Sequence, residues 1–435
     1  MQTSLLPGIA LLAVVSCSSL SPARSPSTAF LDSSAPGRFR VERVSTAIPF
    51  PRGLVSVDGK LFVLARGRSR EFGGANGTID DRAGTIFEVD PAIAEPVENV
   101  TIGEAVRSNG RVLAEPTSPP FVLFDRNCSP PTRDRNTDRP YCTLRFDRLT
   151  RSFYLCGFSG IDGLETEPVN FTKNLSDMVM RYDLRTMRWH EVERHASYAG
   201  GLYPHHDPRT NAAPHGWLNG PDNCLVVGHS LYCVAKDNSR LVRYDLSELG
   251  RDPEAGAPQS EVVLEHEIPI EGLGTQSFSG HSALAAGEGW LYVGFRTSSE
   301  VIRVRLDADG LVARPLQAQV VARFDPFDPK TRKSANLTDL ALDPQGRLHV
   351  LSAKPTRVYR FVPDPAHVFD ARGERAARLA WLDLATLVGK PQLKSENILV
   401  DERGRLYVSS SDSYAMDADA ASVIYRATPI EAGAP

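Results

Sequence analysis

The sequence predicts an all-β chain that folds as a six-bladed β-propeller. The first observation is a repeat: apolar triplets recur about every 60 residues in the second half of the chain, as is typical of propeller blades. The second is a constant spacing. In three consecutive repeats 13 residues separate the triplet from an aromatic or valine residue of the next strand, as from Leu231 to Tyr244. The third is a tight turn before each triplet, which contains Asp and Gly before three of the six, as in Asp401–Gly404.

The triplets mark the second strand of each blade, and the other strands follow from them. The triplets begin at Leu61, Phe153, Leu231, Leu291, Leu348 and Leu406. Third strands are predicted over 84–90, 177–184, 239–246, 299–307, 356–364 and 421–428. Outer strands are predicted over 97–102, 187–193, 261–268, 316–324 and 378–387, which leaves the last blade without one. Because Phe39–Val44 alternates apolar and polar residues, we expect it to supply that strand and to close the ring.

The blade count has one alternative. The first two triplets lie 92 residues apart, from Leu61 to Phe153, so a seventh blade built on Phe121–Asp125 is the other interpretation. In both cases residues 38–430 form one domain, because a chain of 435 residues with 41% hydrophobic residues can bury one large core.

The N-terminus predicts export. Leu5–Val15 is apolar but too short to span a bilayer, which is typical of the central region of a signal peptide. Val14–Cys17 resembles the bacterial lipobox, and this resemblance implies a signal peptide over residues 1–17 and lipid attachment at Cys17. Residues 18–37 are rich in Ser, Pro and Ala and predict a flexible tether.

The expected location is therefore the cell envelope, with the protein lipid-anchored in the outer membrane or periplasmic. Because no Lys or Arg precedes the apolar run, secretion without an anchor is the alternative. The chain has 49 basic and 53 acidic residues, a net charge of −4 and no run of Lys and Arg, so a nucleic-acid partner is not expected. The lipid anchor is then the only expected contact with a membrane, and we expect a monomer.

The cysteines beyond the lipobox lie at hairpin spacings. A two-residue turn at Gly228–His229 and a turn centred on Leu149 would each place two cysteines opposite one another. The two disulfides predicted in this way join Cys224 to Cys233 and Cys142 to Cys156. Such bonds are expected in an oxidising compartment. Reduced thiols, or a bond between Cys128 and Cys142, are the alternatives.

One face of the predicted propeller carries the long loops. In a meandering blade, the loops from second to third strands lie on the same face as the crossovers that enter each innermost strand. Here these loops are long, whereas the opposite face has short turns such as Asp58–Gly59. Since long loops on a rigid scaffold usually carry function, we expect the ligand site at this loop-rich face, called the mouth below.

Two hairpins resemble those of NHL-type and gluconolactonase-type six-bladed propellers. They are Asp343–Leu348 and Asp401–Val408, and Pro221–Asn223 is similar to the blade start Pro-Asn-Gly of the gluconolactonase family. The likeness covers residues 215–430 best. It implies a six-bladed fold with one divalent metal, calcium or zinc, held in the central channel by Glu, Asn and Asp.

Polar residues lie just before the innermost strands, where the chain converges on the channel. The candidate metal ligands are Asp222, Asn223, Asp339 and Glu396, and the candidate ligand-binding residues beside them are Arg52, His281 and Asn397. Convergent carboxylate and amide oxygens suit a hard cation that could polarise a carbonyl group. Arg52, however, stands where the resemblance implies a glutamate. Residues that cap strand ends or bind channel water are the alternative.

Other candidates lie on the mouth loops. Three histidines of the crossover 196–221, His205, His206 and His215, could bind zinc or transfer a proton. Lys236 and Lys354 each follow a second strand and favour an anionic ligand. Exposed loop histidines, and lysines paired with acidic neighbours, are the alternatives.

Two functions are compatible with these features. The first is an exported propeller that binds a small molecule, glycan or protein at its mouth. The second is a metal-dependent hydrolase of gluconolactonase type, with a carboxylate or histidine base.

Overall fold

The propeller forms six sheets of four or five strands arranged as blades, which confirms the predicted all-β fold. The computed structural model describes residues 38–65, 84–115, 143–157, 178–194, 221–235, 240–264, 268–270, 274–276, 282–296, 298–326, 335–411 and 422–430. The segment of the alternative seventh blade, Phe121–Asp125, lies outside these residues. Within them no helix is long and apolar enough to cross a membrane.

The chain enters at the last blade and then builds the first three. The entry strand is β1 (Phe39–Ser45). Blade 1 contains β2 (Pro51–Val57), β3 (Lys60–Ala65), β4 (Ile86–Val89) and, after β5 (Glu95–Pro96) and α1 (Glu104–Arg107), β6 (Arg111–Ala114). Blade 2 contains β7 (Thr143–Asp147), β8 (Ser152–Gly157), β9 (Met178–Asp183) and β10 (Arg188–Arg194). Blade 3 contains β11 (Pro221–Val227), β12 (Ser230–Ala235), β13 (Arg240–Asp245) and, after α2 (Ser247–Arg251), β14 (Ser260–Leu264).

The remaining blades complete the ring. A separate hairpin of β15 (Ile268–Ile270) and β16 (Gly274–Gln276) leads to them. Blade 4 contains β17 (Ser282–Gly287), β18 (Trp290–Phe295), β19 (Glu300–Arg305), β20 (Ala318–Phe324) and, past blade 5 and a 3-10 turn (Pro365–His367), β24 (Phe369–Ala371). Blade 5 contains β21 (Leu337–Leu342), β22 (Leu348–Ser352), β23 (Arg357–Phe361) and, after α3 (Arg375–Leu379), β25 (Leu382–Asp383). Blade 6 follows α4 (Leu384–Leu387) and contains β26 (Ser395–Val400), β27 (Leu406–Ser411), β28 (Ser422–Pro429), β1 and β5.

The constant spacing in the sequence reflects the pairing of second and third strands. Leu231 pairs with Tyr244, and the corresponding leucines of blades 4 and 5 pair with Val304 and Phe361. These side chains are buried, and they pack in the apolar layers between neighbouring blades. A repeat of this kind gives every blade the same two apolar faces, because alternate residues of a strand point to opposite sides of the sheet.

The N-terminal strand closes the ring, as predicted. β1 pairs with β28 from Phe39 opposite Pro429 to Ser45 opposite Ile424. The closure also contains a buried ion pair, because Arg426 donates two hydrogen bonds to Glu42 at 2.8 and 3.0 Å.

Two predicted outer strands are wrong. Residues 97–102 form turns, and Arg111–Ala114 is the outer strand of blade 1. The reason is Arg43, which pairs with Glu95 and donates to the Val97 carbonyl, so this segment is held against blade 6. In blade 5, residues 378–387 are mostly helical, and only Leu382–Asp383 pairs with β23.

The cysteine registers differ from each other. Cys224 lies directly opposite Cys233, as predicted, and both thiols are reduced in this structure. The predicted opposition of Cys142 and Cys156 is wrong, because residues 148–151 form a four-residue turn that places Thr143 opposite Cys156. Cys142 itself lies outside the described residues.

The short turn of blade 5 contains a buried hydrogen-bond network. The Asp343 carboxylate accepts from the backbone amides of Gln345 and Arg347, from Arg347 Nε and from His349 Nε2. Burial alone would raise the pKa of Asp343, but the hydrogen bonds from His349 and Arg347 outweigh it and lower this pKa to about 2. Burial also lowers the pKa of His349, which is therefore neutral at pH 7.

Asp343→Asn is expected to reduce the free energy of unfolding by about 1–2 kcal/mol at pH 7, because the network loses a charged acceptor. Since the pKa of Asp343 is lower in the folded than in the unfolded chain, its contribution is complete above pH 4 and declines towards pH 2. Denaturation measured from pH 7 to pH 2 should therefore show that the difference in unfolding free energy between the variant and the wild type becomes smaller as the pH falls. Asp401→Asn is the control, because Asp401 makes the same turn in blade 6 without a histidine partner.

Candidate active site in the central channel

Four of the six innermost strands contain a β-bulge near the mouth end, and the bulge of β2 lies one residue pair further from the mouth than the other three. The register shifts after Arg52 in β2, after Pro221 in β11, after Leu337 in β21 and after Ser395 in β26, whereas β7 and β17 pair regularly. A bulge changes the direction of the side chains beside it. The bulges therefore bring polar residues at the mouth ends of these strands into the channel.

Hydrogen bonds join residues at the mouth ends of five of the six innermost strands. The backbone amide of Gly53 donates to Asn397 Oδ1 at 2.7 Å, and Asn397 Nδ2 donates to Asp339 Oδ2 at 3.2 Å. On the other side, Thr143 Oγ1 donates to Asn223 Oδ1 at 3.3 Å. Blades 6 and 1 are thereby joined to blade 5, and blade 2 is joined to blade 3.

Arg145 connects these two groups of hydrogen bonds. It lies on β7 of blade 2, and its Nη2 donates to Asp339 Oδ1 of blade 5, the opposite blade, and to Asn223 Oδ1, both at 3.3 Å. Its Nε and Nη1 donate to the carbonyls of Cys224 and Leu144 at 2.9 and 3.2 Å. The guanidinium group thus spans the channel. We call Arg145, Asn223, Asp339 and Asn397 the channel clasp.

The Asp339 carboxylate is fully buried and fully hydrogen-bonded. Besides Arg145 and Asn397, it accepts from the backbone amides of Leu340 at 3.0 Å and Ile398 at 3.1 Å. Burial raises the pKa of Asp339, and the Arg145 charge and these hydrogen bonds oppose the rise. Arg145 is therefore the counter-ion that makes a carboxylate at this depth tolerable.

Three charged side chains lie at the mouth end of the channel. Glu396 Oε2 is 3.3 Å from Arg52 Nη2, and Glu396 Oε1 is 2.7 Å from Lys394 Nζ. All three side chains are largely buried, at 6%, 10% and 17% exposure for Glu396, Arg52 and Lys394. This mouth triad therefore contains two cations and one carboxylate.

The clasp does not fit a divalent metal. The oxygens of Asp339 and Asn223 that would bind one already accept hydrogen bonds from Arg145, and Glu396 is paired with two cations. A second cation beside the guanidinium group would also be repelled. Among the described residues, no group of three or more His, Cys, Asp and Glu side chains is arranged to hold a metal ion.

The structure brings five of the predicted site residues together. These are Arg52, Asn223, Asp339, Glu396 and Asn397. Asp222 occupies the bulge of β11, and Lys354 is exposed on the turn that joins β22 to β23 at the mouth. The remaining predicted site residues, Lys236, His205, His206, His215 and His281, lie outside the described residues, as does Cys17.

Arg145 and Lys394 are site residues that were not predicted from the sequence. A signal for Arg145 exists: when the six innermost strands are aligned by register, Arg145 is the only charged residue at its position, where the others have Val55, Leu225, Ala285, Ala341 and Leu399. The apolar members of this row pack in the hydrophobic clusters between blades. A charged residue in such a row indicates a specific partner, since a buried charge is retained only when it is paired.

Comparisons with known proteins give similar folds only. The sequence matches no protein-family model and no curated protein. A calcium-binding protein, regucalcin, from Agrobacterium tumefaciens aligns at 9% identity over 92% of this chain and 96% of its own, with a TM-score of 0.46. A gluconolactonase from Xanthomonas campestris aligns at 10% identity over 91% of each chain, with a TM-score of 0.42. A virginiamycin B lyase from Staphylococcus aureus aligns at 10% identity over 91% of this chain and 90% of its own, with a TM-score of 0.39.

Proposed function

We propose that this chain is an exported, lipid-anchored propeller that binds a small anionic molecule at its mouth without a metal ion. The channel clasp is the observation on which the proposal depends. Arg145 already neutralises Asp339 and donates a hydrogen bond to Asn223, so the channel needs no metal to compensate the charge of Asp339. Its described residues offer no vacant set of metal ligands. The lipobox-like segment and the tether after it support the location in the cell envelope.

The charges at the mouth support an anionic ligand. Arg52 and Lys394 flank the single carboxylate of the mouth triad, and Lys354 adds an exposed cation on the neighbouring turn of blade 5. Asp339 does not add to the negative charge at the mouth, because Arg145 compensates its charge deeper in the channel. A carboxylate or phosphate group would gain charge-assisted hydrogen bonds from such a surface.

A metal-dependent hydrolase of gluconolactonase type is the function that the clasp disfavours. Such an enzyme needs at least one open position on its metal for the substrate. Here the candidate ligands Asn223, Asp339 and Glu396 are bound to the chain's own cations, so we derive no catalytic step from a metal.

The metal-free proposal has a direct test. Removal of divalent ions from the purified mature protein with EDTA is expected to leave its melting temperature unchanged, and elemental analysis is expected to find calcium and zinc well below one equivalent. A stoichiometric metal whose removal lowers the melting temperature would contradict the proposal and favour the hydrolase.

Ligand charge is tested with matched small molecules. Citrate, gluconate and glucose 6-phosphate are compared with neutral glucose by isothermal titration. Lys394→Gln is expected to weaken binding of the anions by about tenfold, the effect of one charge-assisted hydrogen bond. Lys60→Gln is the control, since Lys60 pairs with Glu88 beside the short turn of blade 1 on the opposite face. Equal binding of glucose and the anions, or equal effects of the two substitutions, would refute an anion site.

A further inference from the structure

Three buried cysteines meet at the junction of blades 2 and 3. Cys156 lies on β8, Cys224 on β11 and Cys233 on β12, and all three side chains are fully buried in one apolar cluster. The Cys224 thiol is within hydrogen-bond contact of both other thiols. Cys224 is therefore the central member of the set, with one neighbour in its own blade and one in the adjacent blade.

The two contacts of Cys224 differ in kind. Cys233 is its direct cross-strand partner in the register of β11 and β12. Cys156 lies on the next blade, and Cys156 and Tyr154, two residues apart on β8, both point into the buried cluster that contains Cys224. A disulfide requires close β-carbons, and strand partners and packed neighbours are the two arrangements that supply them.

We propose that Cys156, Cys224 and Cys233 form an exchange site in which one disulfide has two positions, Cys224–Cys233 within blade 3 and Cys156–Cys224 between blades 2 and 3. The expected location in an oxidising compartment makes such a bond favourable. The inference does not require the mouth ligand, and of the proposed function it rests only on export to an oxidising compartment.

The chemistry balances with one external reagent. The first disulfide forms when two of the thiols lose two protons and two electrons to a small-molecule disulfide, which is reduced to two thiols. In the exchange step the Cys156 thiolate attacks the Cys224 sulfur, the Cys156–Cys224 bond forms and the Cys224–Cys233 bond breaks. Cys233 leaves as a thiolate and takes up the proton that Cys156 lost, so the exchange itself needs no oxidant. Because the thiols are buried, the external disulfide must react during folding or local opening.

The exchange site is connected to the channel. Arg145 Nε donates to the carbonyl of Cys224, and the same guanidinium group holds Asn223, the preceding residue, together with Asp339. A disulfide that moves Cys224 towards either neighbour therefore acts on the backbone that positions the channel clasp.

The test is disulfide mapping of the purified mature protein. The protein is equilibrated with oxidised and reduced glutathione, quenched with acid, alkylated after unfolding and digested for mass spectrometry. Both linkages are expected in the wild type, with amounts within about tenfold of each other. Cys156→Ser is expected to contain only Cys224–Cys233, and Cys233→Ser only Cys156–Cys224.

Two results would overturn the proposal. One is a wild type in which Cys224–Cys233 is the sole bond of Cys224, with Cys156 alkylated or linked to another cysteine. The other is a Cys233→Ser protein in which Cys156 and Cys224 remain alkylated at a glutathione ratio that oxidises the wild type. Circular dichroism of both variants confirms folding, and the wild-type map decides the question if a variant does not fold.

Discussion

Replacing Arg145 with methionine is expected to lower the free energy of unfolding by about 3–5 kcal/mol at pH 7, the usual cost of leaving a buried charge unpaired. The substitution keeps a long side chain but removes the one charge that pairs with Asp339 among the described residues, and the Asp339 side chain has no exposed surface. Chemical denaturation of the two proteins measures the difference. Arg148→Met is the matched control from the same blade, because its pair with Glu402 is 71% and 88% exposed and should contribute less than about 1 kcal/mol.

The Arg145→Met defect is also expected to depend on pH. Burial raises the pKa of Asp339 in the folded chain, and loss of Arg145 removes a charge that opposes this rise. A carboxyl group with a raised pKa favours folding when it is protonated, so the stability of the variant should fall as pH rises through that pKa. The gap to the wild type should therefore be largest near pH 8 and smaller near pH 5. A second substitution, Asp339→Leu, should recover much of the loss, since replacing both partners removes the unpaired charge.

A defect of the same size in Arg145→Met and Arg148→Met would show that the clasp is energetically equivalent to a surface ion pair. A defect that does not change with pH would show that it arises from packing and not from the charge of Asp339. Either outcome would remove the basis for a channel that compensates its own charge without a metal.

Most of the blade architecture could be predicted from the sequence, because second and third strands are close in the chain. Five of the six third strands lie within the predicted ranges, and the last extends one residue beyond its range, to Pro429. The outer strands were harder to predict because they depend on distant contacts. Arg43 and Glu95 hold the segment after β5 against blade 6. The sequence of residues 97–102 gives no sign of this contact with β1.

The candidate site was predicted in part, for a related reason. Residue type and position before an innermost strand were sufficient to select Asn223, Asp339 and Asn397. Arg145 was not selected because it comes from an element without a bulge, and its partner Asp339 lies 194 residues further along the chain. The convergence of oxygens and the resemblance both suggested a metal, whereas the structure shows that the oxygens of Asn223 and Asp339 accept hydrogen bonds from the chain's own arginine.

Gly53 allows blades 1 and 2 to approach each other closely beside Arg145. Its φ of +75° is favourable only for glycine, and its amide donates to Asn397. A Cβ atom at this position would lie 2.6 Å from the backbone nitrogen of Leu144 and 2.8 Å from the Leu144 Cβ. Blades 1 and 2 therefore approach each other so closely at the channel that no side chain fits between them.

Gly53→Ala is accordingly expected to lower the free energy of unfolding by about 3–5 kcal/mol, about 1–2 for the left-handed backbone and the rest for displacing β7. Gly59→Ala is the matched control, because Gly59 has a φ of +80° with nothing within 4 Å of its Cβ position, so it should lose only the backbone part. The difference between the losses of unfolding free energy in the two variants, measured by denaturation, gives the part due to the close contact with Leu144. Arg145 lies on β7, the strand that Gly53→Ala displaces. Arg145→Met should therefore cost less stability, and show less pH dependence, in the Gly53→Ala protein than in the wild type. Additive effects would mean that the two blades adjust without moving the clasp, and that Gly53 contributes to packing alone.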